Sequence, residues 1–353
     1  MQLKIQKASW FFLLIAATIV PTACKKTSRD NCCPIPRPEA GFTNPVLSGS
    51  DPWIHKNDSI YYYTQTSGNR IMLWKTKAVS KLSTATIKTV FTPAAGTANA
   101  ANIWAPEIHF FDNKWYIYYT AGSGTDASQR TWVLENASAD PTAGAWTDKG
   151  RIFSTSSDFW AIDGTVFEHN GSKYFLWSGR PDPSLQNQNI YIARMLNPWT
   201  LETNSAVLTK PDLPWEQIGG PVNEAPQIIK NSTGNVFLVY SASGCWTDEY
   251  SLGLLTLKSG GDPLQPGDWT KSPSPVFVKS AMNNAYGPGH NAFFKSADGK
   301  EDWIIYHANN NSNEGCGDKR NIRMQRMNWS AGGLPQFGEP VRTGMKLELP
   351  SGE

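Results

Sequence analysis

Residues 161–179 read AIDGTVFEHNGSKYFLWSG, and the reading of this stretch decides the fold. A short polar start containing Asp163 and Gly164 runs into an apolar segment that ends at His169. Asn170-Gly171 then supplies a tight turn, because both residues tolerate positive φ. Ser172–Gly179 follows as a second, aromatic-rich segment. Strand, turn, strand is an antiparallel hairpin. The same opening occurs four more times, as GSDPWIH at 49–55, WAPEIHFF at 104–111, NEAPQII at 223–229 and GPGHNAFF at 287–294. The anchors Asp51, Glu107, Asp163, Glu224 and His290 are separated by 56, 56, 61 and 66 residues. Each opening leads through a polar turn to an aromatic strand: SIYYYTQ, KWYIYYTA, SKYFLWSG, NVFLVYSA and DWIIYHAN. A third strand comes next in every unit (RIMLWKT, RTWVLEN, NIYIARM, YSLGLLT, NIRMQRM), and a weaker fourth at KTVFTP, KGRIFS, SAVLTK, SPVFVK and EPVRTG. Four antiparallel strands repeating about every 60 residues describe a propeller blade. The predicted fold class is all-β, a five-bladed β-propeller of four-stranded antiparallel blades filling residues 41–353.

Composition agrees. Aromatic residues make up 12% of the 353, with 29 Gly and 24 Pro, which suits many short strands and turns and excludes helical bundles. With 32 basic against 30 acidic side chains the formal net charge is +2, so the basic surface that binds nucleic acid is missing.

The first 23 residues form an address. Lys4 and Lys7 precede the apolar run Trp10–Val20, which ends at Pro21-Thr22-Ala23 before Cys24. Such a pattern marks an export signal and is too short to span a bilayer comfortably. Small residues followed directly by cysteine resemble the bacterial lipoprotein signal, in which Cys24 becomes the lipidated terminus. Pro21 stands where that signal usually carries Leu, and ordinary secretion is the alternative. The expected location is therefore the periplasm or cell surface, with the membrane touched only through the lipid. Residues 24–40 are polar and Pro-rich and read as a flexible tether. Cys245 and Cys316 lie in Gly-rich loops of the folded region; in an oxidising compartment they form a disulfide between loops or remain two thiols. No Cys-x-x-Cys spacing suggests zinc.

In a propeller the innermost strand of each blade borders a central channel, so the five openings should meet at one mouth of it. What meets there is mostly carboxylate. Hydrolysis of a glycosidic bond needs one protonated carboxyl to supply the leaving oxygen with a proton, and one ionised carboxylate to activate water or attack. A third acid nearby raises the pKa of the proton donor, since like charges resist joint ionisation. A single Asp at a strand start is ordinarily a turn former; Asp51, Asp163 and Glu224 at matching places on three blades point to chemistry.

GSDPWI at Asp51, WAPEIH at 104–109, AIDGTVF at Asp163 and NEAPQI at Glu224 together resemble the signatures of glycoside hydrolase family 43, in order and at blade spacing from about Asn44 onward. That resemblance implies a five-bladed propeller hydrolysing arabinose- or xylose-containing plant polysaccharides with inversion. It implies Asp51 as general base, Asp163 as the modulator that orients the acid, and Glu224 as general acid. GLLTL, WTKSPSPVF, YGPGHNAF and WIIYHA are most similar to the branch of exo-acting α-L-arabinofuranosidases. The retaining invertase-type propeller fits less well, because SDPWI lacks the flanking Asn and Gly of that nucleophile motif.

Substrate-binding candidates are the aromatics Trp104, Phe159 and Trp160, which could stack on a sugar ring or pack between blades. Trp215 and Trp246 lie in loops and line outer subsites or cap the core. Glu107 reads as a structural acid, and His109 and His307 as structural or rim residues. His290 begins the fifth blade and should face the channel. The resemblance implies a structural calcium ion or ordered water near it, although calcium prefers oxygen ligands. The chemistry itself needs no cofactor. An arginine bonding sugar hydroxyls is expected at Arg320 or Arg323, with Arg320 favoured. The Ser178–Asn189 insert and the Cys245 loop are candidate walls of a closed pocket. The leading function is thus an inverting exo-acting α-L-arabinofuranosidase. A β-xylosidase or endo-arabinanase on the same scaffold is the alternative enzyme, and a non-catalytic glycan-binding lipoprotein the alternative of another class.

Overall fold

The computed structural model describes residues 41–182 and 184–353; the export signal and tether expected at 1–40 lie outside the described residues. Among the described residues five antiparallel sheets of four or five strands form, one per repeat, beside a two-stranded pairing of Gly41–Thr43 with Lys346–Glu348. The inner strands are Trp53–Asn57, Ala101–Phe111, Trp160–His169, Asn223–Lys230 and Tyr286–Lys295. Each pairs with the aromatic strand that follows it, and each inner strand borders the next around a closed ring, the fifth beside the first. The recurring aromatics fill the gaps between blades. Tyr61, Tyr63 and Trp74 of the first blade pack on Phe294, Trp303 and Met324 of the fifth. Equivalent apolar cores join every other neighbouring pair. Sheet strands alternate their faces, so each blade contributes to two of these cores.

Two outer strands differ from expectation. In the fourth blade the outer strand is Trp269–Lys271, not Ser274–Lys279; Phe277 makes only an isolated bridge to Leu252. In the fifth blade Glu339–Gly344 does not take the outer position. That place belongs to Leu47–Ser48 from the start of the domain, paired with Asn321 and Ile322. The fifth sheet thus joins a strand from the start of the domain to strands from its later part, a geometry invisible to a search for consecutive repeats.

The inner strands share a device. Asp51, Ala105, Asp163, Ala225 and His290 all have positive φ, between 42° and 57°, and the pairing shifts register beside the last four. A bulge of this kind re-aims side chains at a strand end. In four of the five, the N–H of this residue donates to a hydroxyl or imidazole from the neighbouring blade: Ala105 to Thr66, Asp163 to Thr120, His290 to Ser241, Asp51 to His307. The fifth, Ala225, uses a carboxylate instead.

Candidate active site

The bulges show that the acids are not all equivalent, as the repeat suggested. Asp51 and Asp163 occupy the positive-φ position itself. Glu224 stands one residue before it and Glu107 two residues after it. That offset separates their surroundings. Asp51, Asp163 and Glu224 line one cavity of about 340 Å³, with Trp104, Trp160, Gln188, Trp246, His290 and Arg320 among the other walls. Its size is at the small end of ligand pockets.

Asp51 is held from every side. Its Oδ2 accepts from Thr66 Oγ1 at 2.5 Å and Ser50 Oγ at 3.2 Å. Oδ1 lies 3.4 Å from Arg320 Nη1 and 3.3 Å from His290 Nδ1. Its N–H donates to His307 Nδ1 at 3.2 Å, which places the proton of neutral His307 on Nε2. Burial pushes the Asp51 carboxyl up, but the charges of His290 and Arg320 and the His307 contact outweigh it and hold the group well below the usual carboxylate range. Arg320 is the constant among these. Burial pushes both imidazoles down, His307 to about 4, so at neutral pH they lend orientation more than charge.

Glu224 has the opposite setting. Burial raises it, Tyr250 and Arg320 lower it, Asp51 raises it again, and the outcome is about 7. The Tyr250 hydroxyl donates to Glu224 Oε1 at 2.8 Å. Asp163 is buried still more deeply; burial, then the charges of Glu224 and Asp51, push it well above the usual range. Its Oδ2 accepts from the Ala225 N–H at 3.0 Å. Asp163 therefore grips the backbone at the residue directly after Glu224, and fixes where the glutamate points. Three carboxyls beside one permanent cation cannot all ionise. The proton is kept on the Glu224–Asp163 side.

Glu107 is buried below this cavity, bonded to Gln227 and 3.1 Å from His109 Nε2. Burial pushes Glu107 up to about 8 and His109 down to about 3, so the pair is uncharged at neutral pH. This agrees with a structural role.

Of the aromatic candidates, Trp104 is half-buried at the cavity wall. Trp160 also lines it, but is 5% exposed, donates to Asp126 and carries the Arg180 guanidinium over its ring at 4.3 Å. Phe159, expected to bind substrate, does not line this cavity: it lies in the bend before the strand begins at Trp160, and its side chain packs on Tyr191 of the third blade. Arg320 is at the site, whereas Arg323 is fully buried and bonds the carbonyls of Asn284, Asn309 and Val341. Cys245 and Cys316 are joined by a disulfide. Gln188, from the Ser178–Asn189 insert, reaches the wall.

Tyr250 and His307 were not singled out from sequence as partners of the acids. Tyr250 stacks on His307 with centroids 5.8 Å apart and 7° between planes, linking acid and base. The signal was Gly289 in YGPGHNAF: a Cβ there would meet the Tyr250 ring at 2.2 Å. Among the described residues no group of three His, Cys, Asp or Glu could hold an ion, and Glu107 is already engaged. Beside His290, both polar atoms of the Asn291 side-chain amide are buried without a partner.

Comparison with known proteins accords with this geometry. The family model described as glycosyl hydrolases family 43 matches residues 42–335. The chain is 42% identical over 319 residues, 87% of its length, to an extracellular exo-α-(1→5)-L-arabinofuranosidase of Streptomyces avermitilis, and the match spans 65% of that relative. It is 39% identical over 279 residues to an extracellular exo-α-(1→5)-L-arabinofuranosidase of Streptomyces chartreusis, covering 77% of this chain and 84% of that one. The crystal structure of an α-L-arabinofuranosidase from Lactobacillus brevis superposes with a TM-score of 0.81 at 34% identity, over 86% of this chain and 98% of the other. The chain belongs to glycosyl hydrolases family 43.

Proposed function

We propose that this protein is an inverting, exo-acting α-L-arabinofuranosidase that removes terminal arabinofuranose from arabinan or arabinoxylan. One observation carries the reading: two carboxyls on one cavity are driven apart, Asp51 held ionised and Glu224 raised to about 7. Paired titratable groups with opposite shifts are how one site runs acid and base chemistry at the same pH. Asp51 takes the proton of a water that attacks the anomeric carbon, and Glu224 protonates the departing glycosidic oxygen. Asp163 aims Glu224 by holding the N–H of the residue that follows it. No step runs through a metal ion. The relatives' names favour terminal arabinose as the group released, and the compact cavity favours a chain end over a polymer interior.

The extracellular relatives support export of this chain, and the sequence around Cys24 supports a lipid anchor. Fatty-acid labelling that persists in a Cys24→Ala variant would sink the anchor. The activity is tested by incubating the protein with arabinan, arabinoxylan and nitrophenyl glycosides while following the anomeric signal of the first product by NMR. Free arabinose in the inverted β-form is expected. Xylose or oligosaccharides would assign the scaffold to a β-xylosidase or endo-arabinanase, retention would remove Asp51 as base, and no release would leave a glycan-binding module.

A further inference from the structure

We infer that Trp246 is the platform on which the leaving sugar rests, and that the Cys245–Cys316 disulfide holds this platform against the cavity. The inference deepens the proposed function and rests on it.

The proton donor fixes the side on which the leaving group lies. Glu224 belongs to the inner strand of the fourth blade, so the departing oxygen and the sugar beyond it are on that blade's side. Of the tryptophans lining the cavity, Trp246 is the one carried by the fourth blade, in the loop between Val236–Ala242 and Ser251–Leu257. It is 47% exposed, an unusual state for so large an apolar side chain beside buried acids. Trp160, by contrast, is buried beneath Arg180.

The loop is built to present this indole. Gly219, Gly220 and Gly244 form its bed, and a Cβ at any of them would meet the Trp246 side chain at 2.4–3.0 Å. The indole N–H donates to the Gly219 carbonyl at 3.2 Å. That bond turns the ring and leaves a flat apolar surface at the cavity. The apolar face of a furanose ring suits such a surface. The loop itself is clamped to the neighbouring blade. Besides the disulfide, Asp248 accepts from Asn313 N–H at 2.8 Å and from the Ser312 hydroxyl. Arg320, which faces Asp51, follows Cys316 by four residues and donates from Nε to the Gly317 carbonyl at 3.3 Å. One cross-link thus sets both the leaving-group wall and the arginine beside the base.

The test compares α-1,5-arabinotriose, whose leaving group reaches the platform, with methyl α-L-arabinofuranoside, whose leaving group is too small to do so. Both are measured on the parent, Trp246→Ala and Trp246→Leu; leucine refills the glycine bed but offers no flat face. The expected result is that the ratio of kcat/KM for triose over methyl glycoside falls about three- to tenfold in both variants, chiefly through KM for the triose. Trp246→Tyr should recover part of the ratio. An unchanged ratio in the folded variants, whether both substrates fall together or neither moves, overturns the assignment. If Trp246→Ala does not fold, Trp246→Leu decides alone. A parent that releases arabinose from neither substrate overturns the functional reading, and this inference with it.

Discussion

Removing the hydroxyl of Tyr250 isolates the electrostatics of the proton donor. Tyr250→Phe keeps the ring that stacks on His307 and deletes the hydroxyl, which donates to Glu224 Oε1 at 2.8 Å and also bonds the Ser241 side chain. A donor bonds a carboxylate more strongly than a carboxylic acid, so this bond favours the ionised form and lowers the pKa. A hydrogen bond to a charged group is worth ~1.5–3 kcal/mol, which corresponds to about one to two pKa units. Glu224, now at about 7, should rise toward the range of about 8–9. An acid that must be protonated remains competent up to a higher pH when its pKa rises. The basic limb of the kcat profile should therefore move upward by one to two units, by that arithmetic, while the plateau falls as Glu224 loses its orientation. The assay is arabinose release from arabinotriose between pH 4 and 10, repeated with a nitrophenyl arabinofuranoside that needs little protonation. With the aryl substrate the loss of rate should be smaller. A basic limb that stays in place or moves downward would refute this account of the site.

Glu224→Gln should lower kcat on arabinotriose by about 10²–10⁴-fold; activity within a few-fold of the parent would remove it as the acid. The same variant should be more stable above neutrality. A carboxyl raised from 4.5 to about 7 loses folding stability as pH climbs between those values, so glutamine should recover ~1–3 kcal/mol at pH 8, read as a higher Tm at pH 8 and little change at pH 4. Glu107→Gln should act otherwise, retaining activity within a few-fold, because Glu107 at about 8 is already neutral at pH 7; a loss comparable with Glu224→Gln would give it a direct part in the chemistry. Arg320→Leu removes the permanent cation beside Asp51, so the acidic limb of kcat/KM should move to higher pH; an unmoved limb would show that the arginine does not set the base.

The fold was readable because its cause is repetitive. Each blade needs the same turn, the same aromatic strand to fill the gap to its neighbour, and the same polar start, so five imperfect copies reinforce one another. The convergence of Asp51, Asp163 and Glu224 on one cavity was readable for a related reason, as they stand at equivalent strand starts. What escaped detection was non-repetitive or three-dimensional. The outer strand of the fifth blade comes from Leu47–Ser48, far from its partners in sequence. Phe159 and Trp160 share a motif, yet the chain bends at Phe159 before the strand begins, and only the second reaches the cavity. Glu224 aligns with Asp163 by eye, but the bulge at Ala225 shifts it by one place and gives the two acids different work. Tyr250 lies in a loop-to-strand junction beside Asp248 and Glu249 rather than Glu224, and only the fold brings its hydroxyl to Glu224, 26 residues earlier.

The clasp formed by Leu47–Ser48 ties assembly of the domain to competence for catalysis. Gly49 N–H donates to the carbonyl of Arg320 at 3.0 Å, and two residues later the chain reaches Asp51. The base and the cation that keeps it ionised therefore meet through the contact that locks the circle. A chain whose first strand has not docked has an exposed edge on its last blade and a base without its arginine. Such a molecule is open to other strands, and inactive as well. Under the proposed function, release of arabinose would consequently report completed closure of the circle.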